Sequence, residues 1–592
     1  MRTYQDLLQD PSDETMFEFF ATTQLAIVDA ASGAITKVAA PAMWTRAEPS
    51  PDGSSLLTQR LERPFSYVVP WNSFPEVVEV MDLQGKVVRT ITKSPLQDAV
   101  PIGGVPTGPR NVDWVPTAPH TLTWTEALDG GDPKQEVPHR DRVMLLADAS
   151  GEPRQWFQLE HRAGGIGYAG DDRTAIVTEF DRKTRRQRVA AFDVTDPARP
   201  GRVLYERSTQ DAYGDPGRPI GERRPDGQSV LRTRDGKLFL AGEGASKDGN
   251  RPFVDEWVLA TGEKRRVFQA AEKKFETFVG FLDEAGSRAL VRSESPTEAP
   301  SLVVVDVANG ARRTLLQFTD PAADFTKTVE KRLVRYERED GVPLSGTLYL
   351  PPGLAKGEKP PVLLWAYPLE YTQASDAGQV RASPNRYLRL AGTSHLFLLL
   401  AGYAVFDDAA MPIVGPTKTA NDTFIQQVQM NARAAVKALA AEGCDEKRIA
   451  VAGHSYGAFM TANLLAHTDL FAAGIARSGA YNRTLTPFGF QNEERTFWEA
   501  PEIYQAMSPF SHADKIDEPL LLIHGADDNN PGTFPMQSQR LFVAIKGHGG
   551  TCRLCMLPNE AHGYRARENV LQCLAEMCAW LDRYVKNRKS GG

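Results

Sequence analysis

Residues 448–466 read RIAVAGHSYGAFMTANLLA, and the reading of the whole chain turns on the pentapeptide inside them. IAVAG has the length and apolar character of a buried parallel strand, whereas Ala458 to His467 has the apolar spacing of a helix. Between them, Gly453-His454-Ser455-Tyr456-Gly457 has the form G-x-S-x-G. A serine in that spacing sits on a strand-to-helix turn so tight that only glycine fits two residues to either side, and its Oγ is pushed out above the sheet edge. The same five letters arise by chance in a long glycine-containing chain, so a base and an acid elsewhere must decide whether Ser455 is a nucleophile.

Around this turn strands and helices alternate. The hairpin-like KTVEKRLVRYEREDGVPLSGTLYLPPG is followed by PVLLWAYP, HLFLLLAGYAVFDD and the long helical TFIQQVQMNARAAVKALAAEG. After the serine come LFAAGIARSGA, PLLLIHGADD, TCRLCMLP and a last helix, ENVLQCLAEMCAWLDRYVK. Alternation of this kind predicts a doubly wound, mostly parallel sheet, and with the serine turn an α/β-hydrolase domain over residues 325–592. In that fold the nucleophile is followed in the chain by an acid and then by a histidine, on loops after later strands. His548, in KGHGGT, precedes a strand and lies at the wrong sheet end. His562 follows TCRLCMLP at the carboxyl edge, where ligands meet an open α/β sheet, and is the expected base. The loop after PLLLIHG offers Asp527 and Asp528 as the acid, which composition does not separate.

Upstream of Asp324 the theme changes. Alternating strands joined by Gly or Asp turns recur in LAIVDAASGAITKVA, EVVEVMDLQGKVVRTI, VMLLADASGEPRQWFQL, VAAFDVTDPARPGRVLY, EWVLATGEKRRVF and LVVVDVANGARRTLL. Most follow a further turn-and-strand pair, so each unit holds about four strands, and such units predict a β-propeller over residues 1–324, with about six incomplete blades.

The 592 residues are 41% hydrophobic and 24% charged, with a net charge of −7, which argues against nucleic acid as the main partner. No apolar run is long enough to span a membrane. The acidic N-terminus has no signal-peptide pattern, which fits a cytoplasmic protein or an exported one whose targeting segment lies upstream. The five cysteines all lie in the C-terminal part. Cys552-x-x-Cys555 has the spacing of a redox or zinc site, but in a strand positions i and i+3 face opposite ways, so the thiols are expected to be buried and structural, with no metal or cofactor.

An N-terminal propeller followed by GHSYGAFM, IHGADDNNPGTFPMQSQRLF and LPNEAHGYRARENV resembles the prolyl oligopeptidase family of serine peptidases, and most closely its glutamyl endopeptidase branch. The resemblance covers nearly the whole chain. It implies a Ser-Asp-His peptidase acting on peptides or unfolded segments, with the propeller restricting entry, and it selects Asp528 through the H-G-x-x-D pattern from His524. The backbone N–H of Tyr456 is one oxyanion donor expected from the turn itself. The resemblance adds the hydroxyl of Tyr367 in VLLWAYPLEY, with Tyr371 as a nearby competitor. It further implies cleavage after Glu. A buried substrate carboxylate needs a cation, best an arginine, and ARSGAYNRTLTPFGF supplies Arg483, with Arg565 and Arg567 of HGYRAR as alternatives. Competing readings are an acylaminoacyl- or dipeptidyl-type exopeptidase of the same family, or a serine esterase. The family often has seven or eight blades, so this chain is expected to begin inside its propeller.

Overall fold

Every hairpin quoted from the first half forms, because the same turn chemistry repeats. In a computed structural model, which describes residues 4, 7–196 and 199–588, the Asp29 carboxylate accepts the amides of Ala31 and Ser32 at 3.1 and 2.7 Å, and Gly33 closes the turn at φ 71°. Asp306 does the same for Ala308 and Asn309 at 3.0 and 3.1 Å, with Gly310 at φ 72°. Aspartate caps the turn and glycine supplies the left-handed residue.

These hairpins combine into antiparallel sheets spanning Thr23–Ser94, Arg110–Leu159, Arg162–Ser208, Arg218–Gln269 and Phe275–Gln317. Among the described residues these are five sheets of four or five strands, with a separate two-stranded sheet of Gly221–Arg223 and Ser229–Leu231 inside the fourth stretch, where six units were expected. The cause is the strand Ile35–Pro49, 15 residues long, whose first half pairs Thr23–Val28 and whose second half pairs Ser55–Leu61. No turn divides it, so two expected units merge into one five-stranded sheet. Within the first compact unit, successive sheets pack face to face. Val177 packs with Val143 and Leu145 of one neighbouring sheet, while Ile176, pointing the other way, packs with Leu238 and Trp257 of the next.

The chain divides into two compact units, one of residues 1–209, 218–240 and 256–265, the other of residues 210–217, 241–255 and 266–592. The last meander sheet, Phe275–Gln317, belongs to the second unit. Arg386 stacks on Phe275 at 4.3 Å, and Glu294 accepts the Tyr387 amide at 3.3 Å.

The second unit is built on an eight-stranded sheet: β1 (Glu330–Glu337), β2 (Pro343–Leu350), β3 (Val362–Trp365), β4 (Ala404–Asp407), β5 (Ile449–His454), β6 (Ala473–Arg477), β7 (Leu520–Gly525) and β8 (Cys552–Leu557). The spatial order is β1-β2-β4-β3-β5-β6-β7-β8, antiparallel up to β4 and parallel from β4 onward. Alternate residues feed two cores. Ile449, Val451, Leu520 and Leu522 face helices α1 (Phe424–Ala441), α2 (Tyr456–His467) and α3 (Met536–Gly547). Ala450, Ala452, Leu521 and Ile523 face the short turn His395–Ala401 and helix α4 (Arg567–Leu581). Cys552 packs on the first core and Cys555 on the second, as the strand reading required; both are half-buried rather than fully buried, and only Cys444 and Cys573 are fully enclosed. Helix α2 is buried from Tyr456 to Ala466, which is why its sequence is apolar all round. Each enclosed side chain such as Phe459 contributes about 2 kcal/mol to that anchoring. No helix among the described residues is long and apolar enough to cross a membrane.

Candidate active site

Ser455 adopts φ 59°, ψ −117°, a backbone conformation that non-glycine residues rarely hold. The fold over-determines it. The Ser455 amide donates to the Arg477 carbonyl of β6 at 2.8 Å, and its own carbonyl accepts the amides of Ala458 and Phe459 at 3.1 Å, starting α2. Both glycines are required by space: a Cβ on Gly453 would lie 2.4 Å from the Gly457 carbonyl carbon, and one on Gly457 would lie 2.3 Å from the Ala366 oxygen.

Asp528 follows β7 and is 2% exposed. One carboxylate oxygen accepts the Asn530 amide at 3.0 Å; the other accepts His562 Nδ1 at 2.8 Å and His524 Nε2 at 3.2 Å, with Thr533 Oγ1 at 3.3 Å. Burial works to raise this carboxyl, but the hydrogen bonds from His524, His562 and the Asn530 amide outweigh it, and Asp528 is held well below the ordinary carboxylate range. A carboxylate only accepts, so His562 carries its proton on Nδ1 and keeps Nε2 as a free base. His524 likewise bears its proton on Nε2, which faces both Asp528 and the Thr533 carbonyl, while its Nδ1 meets Ser538 Oγ at 2.6 Å. Among the described residues no hydrogen bond joins Ser455 to His562, a contact that in unliganded sites commonly tightens only with substrate. Asp527 and His548 are both exposed, the latter at the end of α3.

The histidine loop is shaped by residues that the sequence did not single out. A Cβ on Gly525 would lie 2.3 Å from the carbonyl oxygens of Glu560 and Ala561, so this glycine lets the loop close over the end of β7. Buried Glu560 accepts the amides of Arg565 and Ala566 at 2.9 and 2.8 Å, tying the loop to the start of α4. An acidic residue shortly before a helix was the available signal. The His454 ring centre lies 4.7 Å from that of His562 with the planes tilted by 53°, and burial together with Arg477 pushes its pKa down to about 3, so it stays neutral.

Tyr367 leaves the end of β3 45% exposed, its hydroxyl facing Ser455 and Gln491. Desolvation raises its pKa, which keeps the hydroxyl a proton donor. Tyr456 is the first residue of α2, where an amide has no partner within the helix. Tyr371, by contrast, is buried against Val342, Leu344 and Ala377. Of the three arginines, Arg565 and Arg567 are exposed. Arg483 is 3% exposed, with its guanidinium 3.9 Å from the Phe459 ring centre, 4.2 Å from that of Phe490 and 5.8 Å from that of Tyr456. Its Nε has no hydrogen-bond partner, and burial lowers its pKa to about 10.

A strained serine on a strand-to-helix turn in a sheet of this order defines an α/β-hydrolase. Residues 425–588 match the prolyl oligopeptidase family. It is 42% identical to "Probable glutamyl endopeptidase, chloroplastic" of Arabidopsis thaliana and 40% identical to the protein of that name in Oryza sativa subsp. japonica. Those alignments cover 99% and 100% of this chain but only 63% and 65% of the two relatives, so the chain spans less than two thirds of their length. Among solved structures, an acylaminoacyl peptidase bound to a chloromethyl ketone superposes with TM-score 0.61 at 19% identity, covering 96% of this chain and 86% of that one. A Mycobacterium tuberculosis puromycin-hydrolyzing peptidase superposes with TM-score 0.63 at 17% identity, covering 95% and 83%. At those identities the likeness is one of fold.

Proposed function

We propose that this chain is a serine peptidase that cleaves after glutamate through an acyl-enzyme. The carrying observation is the buried Asp528–His562 pair at 2.8 Å on the same sheet edge as the strained Ser455. Ser455 Oγ attacks the scissile carbonyl carbon and gives its proton to His562 Nε2, while ionised Asp528 fixes the tautomer and stabilises the imidazolium. The Tyr456 amide and the Tyr367 hydroxyl donate to the oxyanion. His562 then protonates the leaving amine, and water, activated by the same histidine, hydrolyses the acyl ester.

Glutamate preference is supported by Arg483. Among the described residues this enclosed guanidinium has no carboxylate within ion-pair distance; its charge is met by aromatic faces and, at longer range, by Glu370. A substrate carboxylate would supply the missing partner bidentately. The face-to-face meander sheets of the first compact unit support the β-propeller reading, with the catalytic domain at 325–592.

The test is a panel of peptides differing only in Glu, Asp, Gln, Ala, Pro or Lys before the scissile bond, run with wild type and Ser455→Ala alongside fluorophosphonate labelling. Cleavage after Glu, lost in Ser455→Ala, is expected. Turnover of simple esters but no peptide would reject the peptidase, and preference for proline or an uncharged residue would reject the glutamyl reading alone.

A further inference from the structure

Trp365 ends β3 two residues before Tyr367, and its half-buried indole carries two other side chains. The His395 imidazole stacks on it with ring centres 4.2 Å apart and planes 8° from parallel. The Arg477 guanidinium lies 4.5 Å from the indole centre. His395 is braced in turn by Asp407, the last residue of β4, at 2.6 Å.

Arg477 needs that indole. It is 7% exposed, and among the described residues it has no carboxylate within ion-pair distance. Its polar contacts are one Nη1 bond to the Thr393 carbonyl at 2.7 Å and the sulfurs of Met577 and Cys573 at 3.8 and 3.9 Å, and its Nε has no partner. A buried cation so poorly hydrogen-bonded depends on the π face beside it. The same residue's carbonyl receives the Ser455 amide at 2.8 Å. Arg477 therefore holds the nucleophile by its main chain and the end of β3 by its side chain. The next residue, Ala366, completes the link, its amide bonded to the Ala452 carbonyl at 3.2 Å and its own oxygen pressed against Gly457.

We infer that Trp365 is a positioning residue that sets the spacing between Ser455 Oγ and the Tyr367 hydroxyl, with His395 and Asp407 as its outer brace. The inference rests on the reading of Tyr367 as an oxyanion donor. Its logic is geometric: an oxyanion donor acts only within hydrogen-bond distance of where charge develops, and Tyr367 projects from backbone that the Arg477–Trp365 contact ties to the nucleophile turn.

The test measures kcat and KM of full-length Trp365→Leu, Trp365→Phe and His395→Gln on a cleaved Glu peptide, each in wild-type and Tyr367→Phe backgrounds, with thermal unfolding as a control. Trp365→Leu is expected to lower kcat about 10- to 100-fold with KM held within about threefold, since small displacements of catalytic groups have effects of that order. Trp365→Phe, which keeps an aromatic face, restores kcat to within about fivefold of wild type, and His395→Gln lowers it by about three- to tenfold. In the Tyr367→Phe background all these losses shrink to less than about threefold, because the group they position is gone. Equal losses in both backgrounds, a loss confined to KM, or no rescue by phenylalanine would overturn the inference while leaving Tyr367 in its role. A Tyr367→Phe enzyme with wild-type kcat would instead overturn the oxyanion reading and this inference with it. Should Trp365→Leu fail to fold, His395→Gln, at the edge of the stack, decides by the same comparison.

Discussion

Replacing Asp528 by asparagine changes one atom's chemistry in a site whose hydrogen bonds leave no freedom for it. The carboxylate of Asp528 faces Asn530, Thr533, His524 and His562, and the last two present N–H groups to a single oxygen. An asparagine puts either an amide N–H₂ or one carbonyl there. If the N–H₂ faces His562, the imidazole must give up its Nδ1 proton and carry it on Nε2, where it can no longer take the serine proton. If the carbonyl faces it, the imidazolium still loses its counter-charge in a buried site. Either way kcat is expected to fall about 10³- to 10⁴-fold, a barrier increase of roughly 4 to 5.5 kcal/mol, with Tm within a few degrees because the side chain is nearly isosteric. The assay is kcat and kcat/KM on a Glu peptide, with fluorophosphonate labelling for the nucleophile and thermal unfolding for the fold. Asp527→Asn, on an exposed side chain, is expected to leave kcat within about twofold. An Asp528→Asn enzyme retaining more than about a tenth of wild-type activity, or a larger loss from Asp527→Asn, would refute the assignment.

Tyr367→Phe lowers kcat by about 100-fold with little change in KM, whereas Tyr371→Phe leaves kcat unchanged; the opposite ranking in steady-state assays transfers the role. Arg483→Leu reduces selectivity for Glu over Gln by about 30-fold or more, while Arg565→Ala and Arg567→Ala preserve it, read as kcat/KM ratios on paired peptides. Gly457→Ala drives a methyl to 2.3 Å from the Ala366 oxygen, so both fluorophosphonate labelling and Tm fall, a loss of about 2 to 4 kcal/mol in denaturant unfolding. Because the folded pKa of Asp528 is depressed, its contribution to stability is present at and above the ordinary carboxylate range and disappears as pH drops below it. Unfolding titrations of Asp528→Asn should therefore have a shallower acid slope than wild type, and equal slopes would contradict that ionisation.

Local rules carried the reading far in the catalytic unit. The glycines around Ser455, the alternation of β5 through β8 and the opposite faces of Cys552 and Cys555 follow from spacing alone, because each is a short-range property. What stayed hidden depends on residues far apart in the chain. Arg483 is visible as an arginine, but its enclosure by Phe459 and Phe490 exists only once α2 and the loop after β6 converge. His524 reads as an ordinary strand residue until Asp528 and Ser538 fold back on it. In the meander half, turn chemistry located the six quoted hairpins but gave no warning that Ile35–Pro49 runs on unbroken. The unit boundary near 266 depends on Arg386 reaching Phe275, a contact with no local signature.

The dependence of Ser455 on β6 has a bearing on how the chain is made. Its backbone angle is held in part by the Arg477 carbonyl on its amide, and Asp528 and His562 follow still later in the chain, after β7 and β8. During synthesis the serine leaves the ribosome well before any of its helpers. On the proposed roles, the constellation of Ser455, Asp528 and His562 is complete only when the last strand of the sheet has docked.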